Sequence, residues 1–92
     1  MLRLTIAGIL SQQGEHGAAL QHLESALQQD PVYTAAWKAK GKICLAAGDK
    51  DAARKAWQQG LIVAEQQGDK QAGKEMQVFL KRLDKEQSAK NS

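Results

Sequence analysis

The residues best placed to do chemistry are two lysines on one predicted helix, Lys38 and Lys42, in the stretch "TAAWKAKGKICLAAGD". They are four residues apart, so both project from the same side of a helix, one turn above the other. Ammonium groups arranged in this way attract carboxylates, so this face is suited to a negatively charged ligand. Lysines on helices are also commonly a solvated face, and that simpler interpretation stays open.

The other reactive side chains do not form the pattern of an active site. His16 and His22 are six residues apart on one predicted helix and point to different faces, unlike an i, i+4 metal pair. The single Cys44 has no second cysteine as a redox partner, and a free cysteine is typically a small buried residue. Asp49 and Asp51 are explained as residues favoured at a helix start. The sequence therefore predicts no enzyme activity, no metal and no cofactor.

The composition indicates one small helical domain. The chain has 92 residues with a single proline, and its apolar residues are largely alanine and leucine. No stretch shows the sustained alternation of a strand, and none approaches the roughly 20 apolar residues of a membrane span. The first ten residues have apolar positions at helical spacing, which is not typical of a secretory signal. The single cysteine fits a reducing compartment, so we expect a cytoplasmic protein.

Glycine–acid pairs divide the chain into five predicted helices. Such a pair can end one helix with a left-handed glycine and begin the next with an acidic cap, and it occurs at 14–15, 48–49 and 68–69. Pro31 makes the remaining break, with Thr34 as the next cap. The connections are short, so neighbouring helices must pack antiparallel. The predicted helices span about 2–13, 16–29, 34–47, 50–67 and 70–86, followed by a flexible tail over 88–92.

The sequence repeats itself when it is shifted by 34 residues. Ala7 then falls on Gly41, a small residue on a small one, and Leu23 falls on Trp57, a large residue on a large one. This pattern is typical of packing in which small residues let two helices approach and large ones fill the gaps. We therefore interpret Trp37 and Trp57 as core residues and not as ligand contacts.

On these residues the chain resembles the tetratricopeptide repeat family, in which a helix–turn–helix unit of this length recurs. The resemblance implies an all-α, right-handed solenoid in one domain over 1–87. Repeat one covers about 1–33, repeat two about 34–67, and a capping helix about 70–86. The residues that carry the resemblance are Ala7, Gly14, Ala19, Leu23, Ala26 and Pro31 in the first unit, and Trp37, Gly41, Gly48, Ala53, Trp57 and Gly60 in the second.

Two features depart from the family pattern. Lys40 stands where the family usually has a buried leucine, so its aliphatic stem is expected to reach past the core. The apolar stripe of Met76, Phe79, Leu80 and Leu83 matches the inward positions of a third unit if that unit begins 39 residues after the second. We interpret this last helix as a cap, because a stacked array must cover its final apolar face.

The resemblance also implies a concave groove, lined by the first helix of each unit, in which peptides bind. Its charge is expected to be uneven, because residues 1–33 contain one basic and three acidic residues whereas 34–92 contain twelve basic and seven acidic ones. The predicted groove residues are Leu4, Gly8, Ser11 and Gln12 in the first unit, and Lys38, Lys42, Leu45, Gln77, Lys81 and Lys85 in the basic part.

The sequence therefore predicts a protein–protein interaction module that binds a peptide or helix, with lysines that select acidic partners. The alternative is a structural or self-associating subunit, a homodimer for example, that pairs through apolar residues of the first helix: Leu2, Ile6, Ile9 and Leu10. Nucleic-acid binding is a distant third interpretation, because a net charge of +3 is modest and no exposed aromatic set is available to stack bases.

Overall fold

A computed structural model describes the backbone of residues 2–91 and the side chains of residues 6–85. Within this range the chain forms five helices and no strand, so the predicted all-α fold is confirmed. The first four helices end within one residue of their predicted ends. The helices are α1 (Leu2–Gln12), α2 (His16–Gln29), α3 (Thr34–Ala46), α4 (Lys50–Gln67) and α5 (Lys70–Asn91).

The glycine–acid pairs separate the helices as the sequence predicts. Each glycine adopts the left-handed conformation that ends a helix, with φ of 84°, 87° and 69° at Gly14, Gly48 and Gly68. Asp49 and Asp69 each accept a hydrogen bond from the backbone N–H three residues further on, at 3.0 and 3.2 Å. These two carboxylates therefore cap α4 and α5, while Glu15 makes no side-chain cap bond to α2.

Two boundaries differ from the sequence-based expectation. Thr34 is the first residue of α3 and is buried, and Tyr33 before it occupies the N-cap position without a side-chain cap bond. The α5 helix continues to Asn91, beyond the predicted end near residue 86, because no glycine or proline interrupts its last turns. The backbone of 88–91 is thus helical where the composition predicts a flexible tail, and Ser92 lies outside the described residues.

The helices form two layers that differ in spacing. Each helix packs against the next one along the chain. In addition, α1 contacts α3 and α3 contacts α5, whereas α2 and α4 make no contact with each other within the described residues. The layer of α1, α3 and α5 is therefore the concave one, and α2 and α4 diverge on the convex side, as in stacked helical hairpins.

Two apolar clusters fill the space between the layers. The first lies among α1, α2 and α3 and includes Ala19 and Leu23, both fully buried. The second lies among α3, α4 and α5 and includes Trp57. The predicted apolar stripe of α5 faces inward in this second cluster, because Met76 and Leu83 are buried and Phe79 and Leu80 pack against them half-buried.

Gly41 allows α3 and α4 to approach closely. A Cβ built on Gly41 would overlap the indole of Trp57, which is only 2% exposed. The Trp57 Nε1 donates a hydrogen bond of 3.2 Å to the carbonyl oxygen of Lys38 in α3. At the equivalent positions of the first repeat, Ala7 and Leu23 are both buried. The two repeats thus fill one kind of space with different pairs of residues, glycine with tryptophan and alanine with leucine.

Lys40 occupies its apolar position in the way that the sequence predicts. It is half-buried, and its Nζ lies 5.3 Å from the centroid of the Trp37 ring and 3.8 Å from the carboxylate of Glu24 in α2. The stem therefore passes along the core while the charge reaches a partner at the surface. Trp37 is itself half-buried, and its Nε1 donates a hydrogen bond of 2.9 Å to the carbonyl of Pro31.

We expect Gly41→Ala to lower the free energy of unfolding by about 1–3 kcal/mol, the usual effect of overpacking, because the added methyl group overlaps Trp57. Gly8→Ala is the matched control, since Gly8 also lies inside a helix but a Cβ there meets nothing within 4 Å. The control should gain up to about 1 kcal/mol from helix propensity. Chemical denaturation of both variants measures the difference, and equal stabilities would disprove a packing role for Gly41.

Candidate functional site

A cleft of about 330 Å³ opens on the concave layer between α3 and α5. It lies beside the C-terminal half of α3, and α4 closes it from below. We call it the α3–α5 cleft. Its lining residues are Lys42 and Leu45 of α3, Trp57 of α4, and Phe79, Arg82 and Leu83 of α5.

The floor of the α3–α5 cleft is apolar and is part of the core. The rings of Trp57 and Phe79 have centroids 5.1 Å apart and are tilted by 37°, a favourable geometry for an aromatic pair. Leu83 is 2% exposed, whereas Leu45 on the opposite wall is 38% exposed. The cleft therefore presents one accessible apolar wall above a floor that packing and the Trp57 hydrogen bond hold in place.

The rim of the α3–α5 cleft is positively charged. The Nζ of Lys42 lies 5.2 Å from the centroid of the Phe79 ring, within cation–π distance. Arg82 contributes a guanidinium from the facing helix and is exposed. No carboxylate among the described residues lines the cleft. Its electrostatic potential therefore favours a negatively charged group.

An ion pair crosses the groove next to the cleft. Lys38 Nζ donates a hydrogen bond of 2.7 Å to the carboxylate of Glu75, which links α3 to α5. This hydrogen bond and the charge of Lys38 lower the pKa of Glu75. Lys38 is thus already paired with a carboxylate of its own chain, and the charge of Lys42 on the cleft rim makes a smaller contribution to the lowered pKa of Glu75.

The structure brings together only part of the predicted groove. Lys42 and Leu45 line the α3–α5 cleft. Gln77 lines a different hollow of about 610 Å³, which lies between α4 and α5 and has lysines as well as carboxylates on its walls. Lys81 and Lys85 are exposed on α5 and line neither of these cavities.

The part of the predicted groove in the first repeat is uncharged. Gly8 and Gln12 are exposed on α1. Ser11 is half-buried, and its Oγ lies 3.2 Å from the Nδ1 of His16. Leu4 lies outside the residues whose side chains are described. The predicted groove residues of the first unit whose side chains are described carry no charge, whereas Lys42 and Arg82 stand at the α3–α5 cleft.

Two residues of the groove were missed by the sequence analysis, Glu75 and Arg82. Phe79 was assigned only to the apolar stripe, although it also contributes to the cleft. Glu75 is four residues before Phe79 and Arg82 is three after it, so all three share one helix face. Following that face along α5 would have identified both residues.

The cysteine and the possible metal ligands do not form a reactive site within the described residues. Cys44 is 4% exposed, and burial raises the pKa of its thiol, so the reactive thiolate is disfavoured. No group of three or more His, Cys, Asp or Glu residues could hold a metal ion in the described part of the chain. None of the helices described is long and apolar enough to span a bilayer.

Comparison with known proteins identifies close relatives. A sequence model described as tetratricopeptide repeat matches residues 4–72, a range that ends at the start of α5. A protein of Pseudomonas aeruginosa named as TPR repeat-containing is 53% identical over 72 residues, which cover 78% of this chain and 69% of the relative. The solution structure of a protein from Bordetella parapertussis is similar over 98% of this chain and 78% of that one, with a TM-score of 0.87 and 43% identity.

We expect Lys38→Met to raise the pKa of Glu75 towards the ordinary carboxyl value, because the hydrogen bond and the charge that contribute most to lowering it are removed, while the smaller effects of Gln71 and Lys42 remain. In the parent, the ion pair stabilises the fold above the ordinary carboxyl pKa, and this contribution is lost as the pH falls through the lowered pKa. An NMR titration of the Glu75 carboxyl carbon measures the midpoint. Lys55→Met is the control: it removes an exposed lysine of α4 and should leave the titration midpoint of Glu75 unchanged. Identical midpoints in the parent and in Lys38→Met would contradict the ion pair.

Proposed function

This chain belongs to the tetratricopeptide repeat family, and on that premise we propose that it is a non-enzymatic protein–protein interaction module. Repeats of this family generally mediate interactions between proteins. The proposed binding surface is the concave layer of α1, α3 and α5. It accepts a peptide or a helix of a partner protein, which binds without covalent chemistry.

The α3–α5 cleft is the observation that carries this proposal. Its apolar wall at Leu45 and the ring of Phe79 can be covered by a side chain of a partner, and burial of apolar area there contributes affinity. Its floor is set by the buried Trp57, so little conformational entropy is lost when a ligand enters. A concave, preformed site of this kind suits an anchoring side chain.

The charge of the groove supports an acidic partner. Lys42 and Arg82 stand on the rim of the cleft, and residues 34–92 as a whole contain more basic than acidic residues. The positive electrostatic potential of these residues speeds association with negatively charged segments of a partner and disfavours binding of basic segments. Lys38 adds less to the positive potential of the groove than its position suggests, because the carboxylate of Glu75 neutralises its charge.

Peptides selected from a random displayed library against the whole chain test this function. We expect the selected peptides to perturb backbone amide resonances of Lys42, Leu45 and Phe79, and to bind more weakly as added salt screens the contacts. The outer face of α4 around the exposed Ile62 serves as the internal control and should not respond. Failure to select any peptide, or shifts confined to α2 and α4, would count against the groove.

Self-association is a second candidate, and Ile9 of α1 is the observation that favours it. Its side chain is 50% exposed, and Ile6 and Leu10 beside it are half-buried. Two copies that met symmetrically through α1 would cover these residues. Leu2, which was predicted to belong to the same apolar face, lies outside the residues whose side chains are described.

If two copies pair through α1, Ile9→Lys should convert a dimer to a monomer by placing a charge in the apolar contact. Ile62→Lys is the matched control, because Ile62 on α4 is equally exposed at 51% and lies outside that contact. Sedimentation equilibrium over a series of concentrations measures the mass. A parent chain that is monomeric throughout removes this candidate and leaves the groove.

A further inference from the structure

We propose that the α3–α5 cleft recognises one bulky apolar side chain together with a neighbouring side-chain carboxylate. The preferred occupant is thus a short acidic segment of a partner protein with a leucine or an aromatic residue among its acidic residues. This inference rests on the proposed function and specifies the chemistry of the ligand at the same site.

The size of the cleft selects a side chain over a larger ligand. Its volume of about 330 Å³ is near the lower end of the roughly 300–1,000 Å³ of small-molecule pockets. The exposed Leu45 on one wall and the half-buried ring of Phe79 offer apolar contacts to such a side chain. A leucine or phenylalanine side chain buries most of its surface in such a space, which makes it the anchor of the contact.

The distribution of charge around the cleft selects the second element, the carboxylate. Glu75 pairs with Lys38 at 2.7 Å, and Asp84 pairs with Arg54 at 2.8 Å. These two carboxylates of α5 are therefore engaged outside the cleft.

Neither cation of the rim forms an ion pair with a carboxylate of the described residues, although the charge of Lys42 also contributes to the lowered pKa of Glu75. Lys42 and Arg82 approach the cleft from α3 and α5 respectively. A carboxylate beside the anchoring side chain would lie between an ammonium group and a guanidinium group, and the latter can bind it through two hydrogen bonds. A basic segment would meet two like charges, so the rim rejects it.

The Lys38–Glu75 ion pair limits the length of the occupant. It joins α3 to α5 about one helical turn before the cleft, counted along either helix. An extended acidic peptide that followed the full groove between α3 and α5 would pass over this pair, where the carboxylate of Glu75 repels a second acidic group. A short anchor that enters beside Leu45 and Arg82 leaves the pair intact, and the geometry therefore favours it.

Three capped, fluorescein-labelled peptides test the proposal on the full chain. The probes are fluorescein-GEELFEEG-amide, fluorescein-GKKLFKKG-amide and fluorescein-GEEAAEEG-amide. The label occupies the N-terminal amine and is the same in all three, so differences in affinity come from the peptide side chains. We expect the first to bind at least about tenfold more tightly than the other two by fluorescence anisotropy, a difference of about 1.4 kcal/mol. It should also shift the indole N–H resonance of Trp57, which lines the cleft, and leave that of Trp37 in place.

Two double variants with the same change in net charge distinguish the effect of the rim charges on binding from the effect of the net charge of the chain. Lys42→Glu with Arg82→Glu should weaken the first peptide by at least about tenfold and strengthen the lysine peptide. Lys55→Glu with Lys70→Glu alters exposed lysines outside the cleft and should bind like the parent. All four positions have exposed or solvent-facing side chains, and circular dichroism verifies that both variants fold.

Each contrary outcome is distinguishable from a failure of the proposed function. Equal loss in both double variants overturns the proposal, because net charge alone would then control binding. Binding that shifts groove amides without shifting the Trp57 indole overturns the cleft as the site and leaves the groove function intact. If none of the three peptides binds, the proposal is overturned, and the library selection decides the groove function separately.

Discussion

The contact between Trp57 and Gly41 is the constraint on which the second half of the molecule depends. Because Gly41 has no side chain, the indole reaches the backbone of α3 and donates a hydrogen bond to the Lys38 carbonyl. The same ring packs against Phe79 of α5. One buried side chain therefore sets the spacing of α3, α4 and α5, and the concave surface inherits its shape from that spacing.

The apolar floor of the α3–α5 cleft and its charged rim have different roles in the molecule. The floor of the α3–α5 cleft is core, whereas the charges of Lys42 and Arg82 on its rim add little to packing. The ion pairs Lys38–Glu75 and Arg54–Asp84 are solvent-accessible, and such pairs contribute little stability. Their larger effect is on charge arrangement, since they engage the nearby carboxylates of α5 and leave the cleft positive. The rim can therefore change in evolution or by design without a change in the core.

The two repeats of this tetratricopeptide repeat protein share a packing pattern but differ in surface. In the first repeat, Ala7 and Leu23 take the positions of Gly41 and Trp57, and its described groove residues carry no charge. The larger indole of the second repeat packs against Phe79 of α5. It therefore contributes to the attachment of α5 and forms part of the floor of the cleft.

Local chemistry was enough to predict the helices, their breaks and their inward faces. Left-handed glycines, capping aspartates and the 34-residue repeat act within a few residues of the chain, so their effects can be recognised without coordinates. The partners of the groove residues depend instead on the offset and angle between α3 and α5. Packing in the second cluster decides these, where Trp57 of α4 meets Met76 and Phe79 of α5. The 39-residue register gives Gln77 as the position equivalent to Lys38, and it does not say which residue of α5 contacts Lys38; in the structure that residue is Glu75. Helix periodicity places Glu75 on one face with Phe79, but only the tertiary structure brings that face to Lys38, because residues distant in sequence set the offset and angle between α3 and α5.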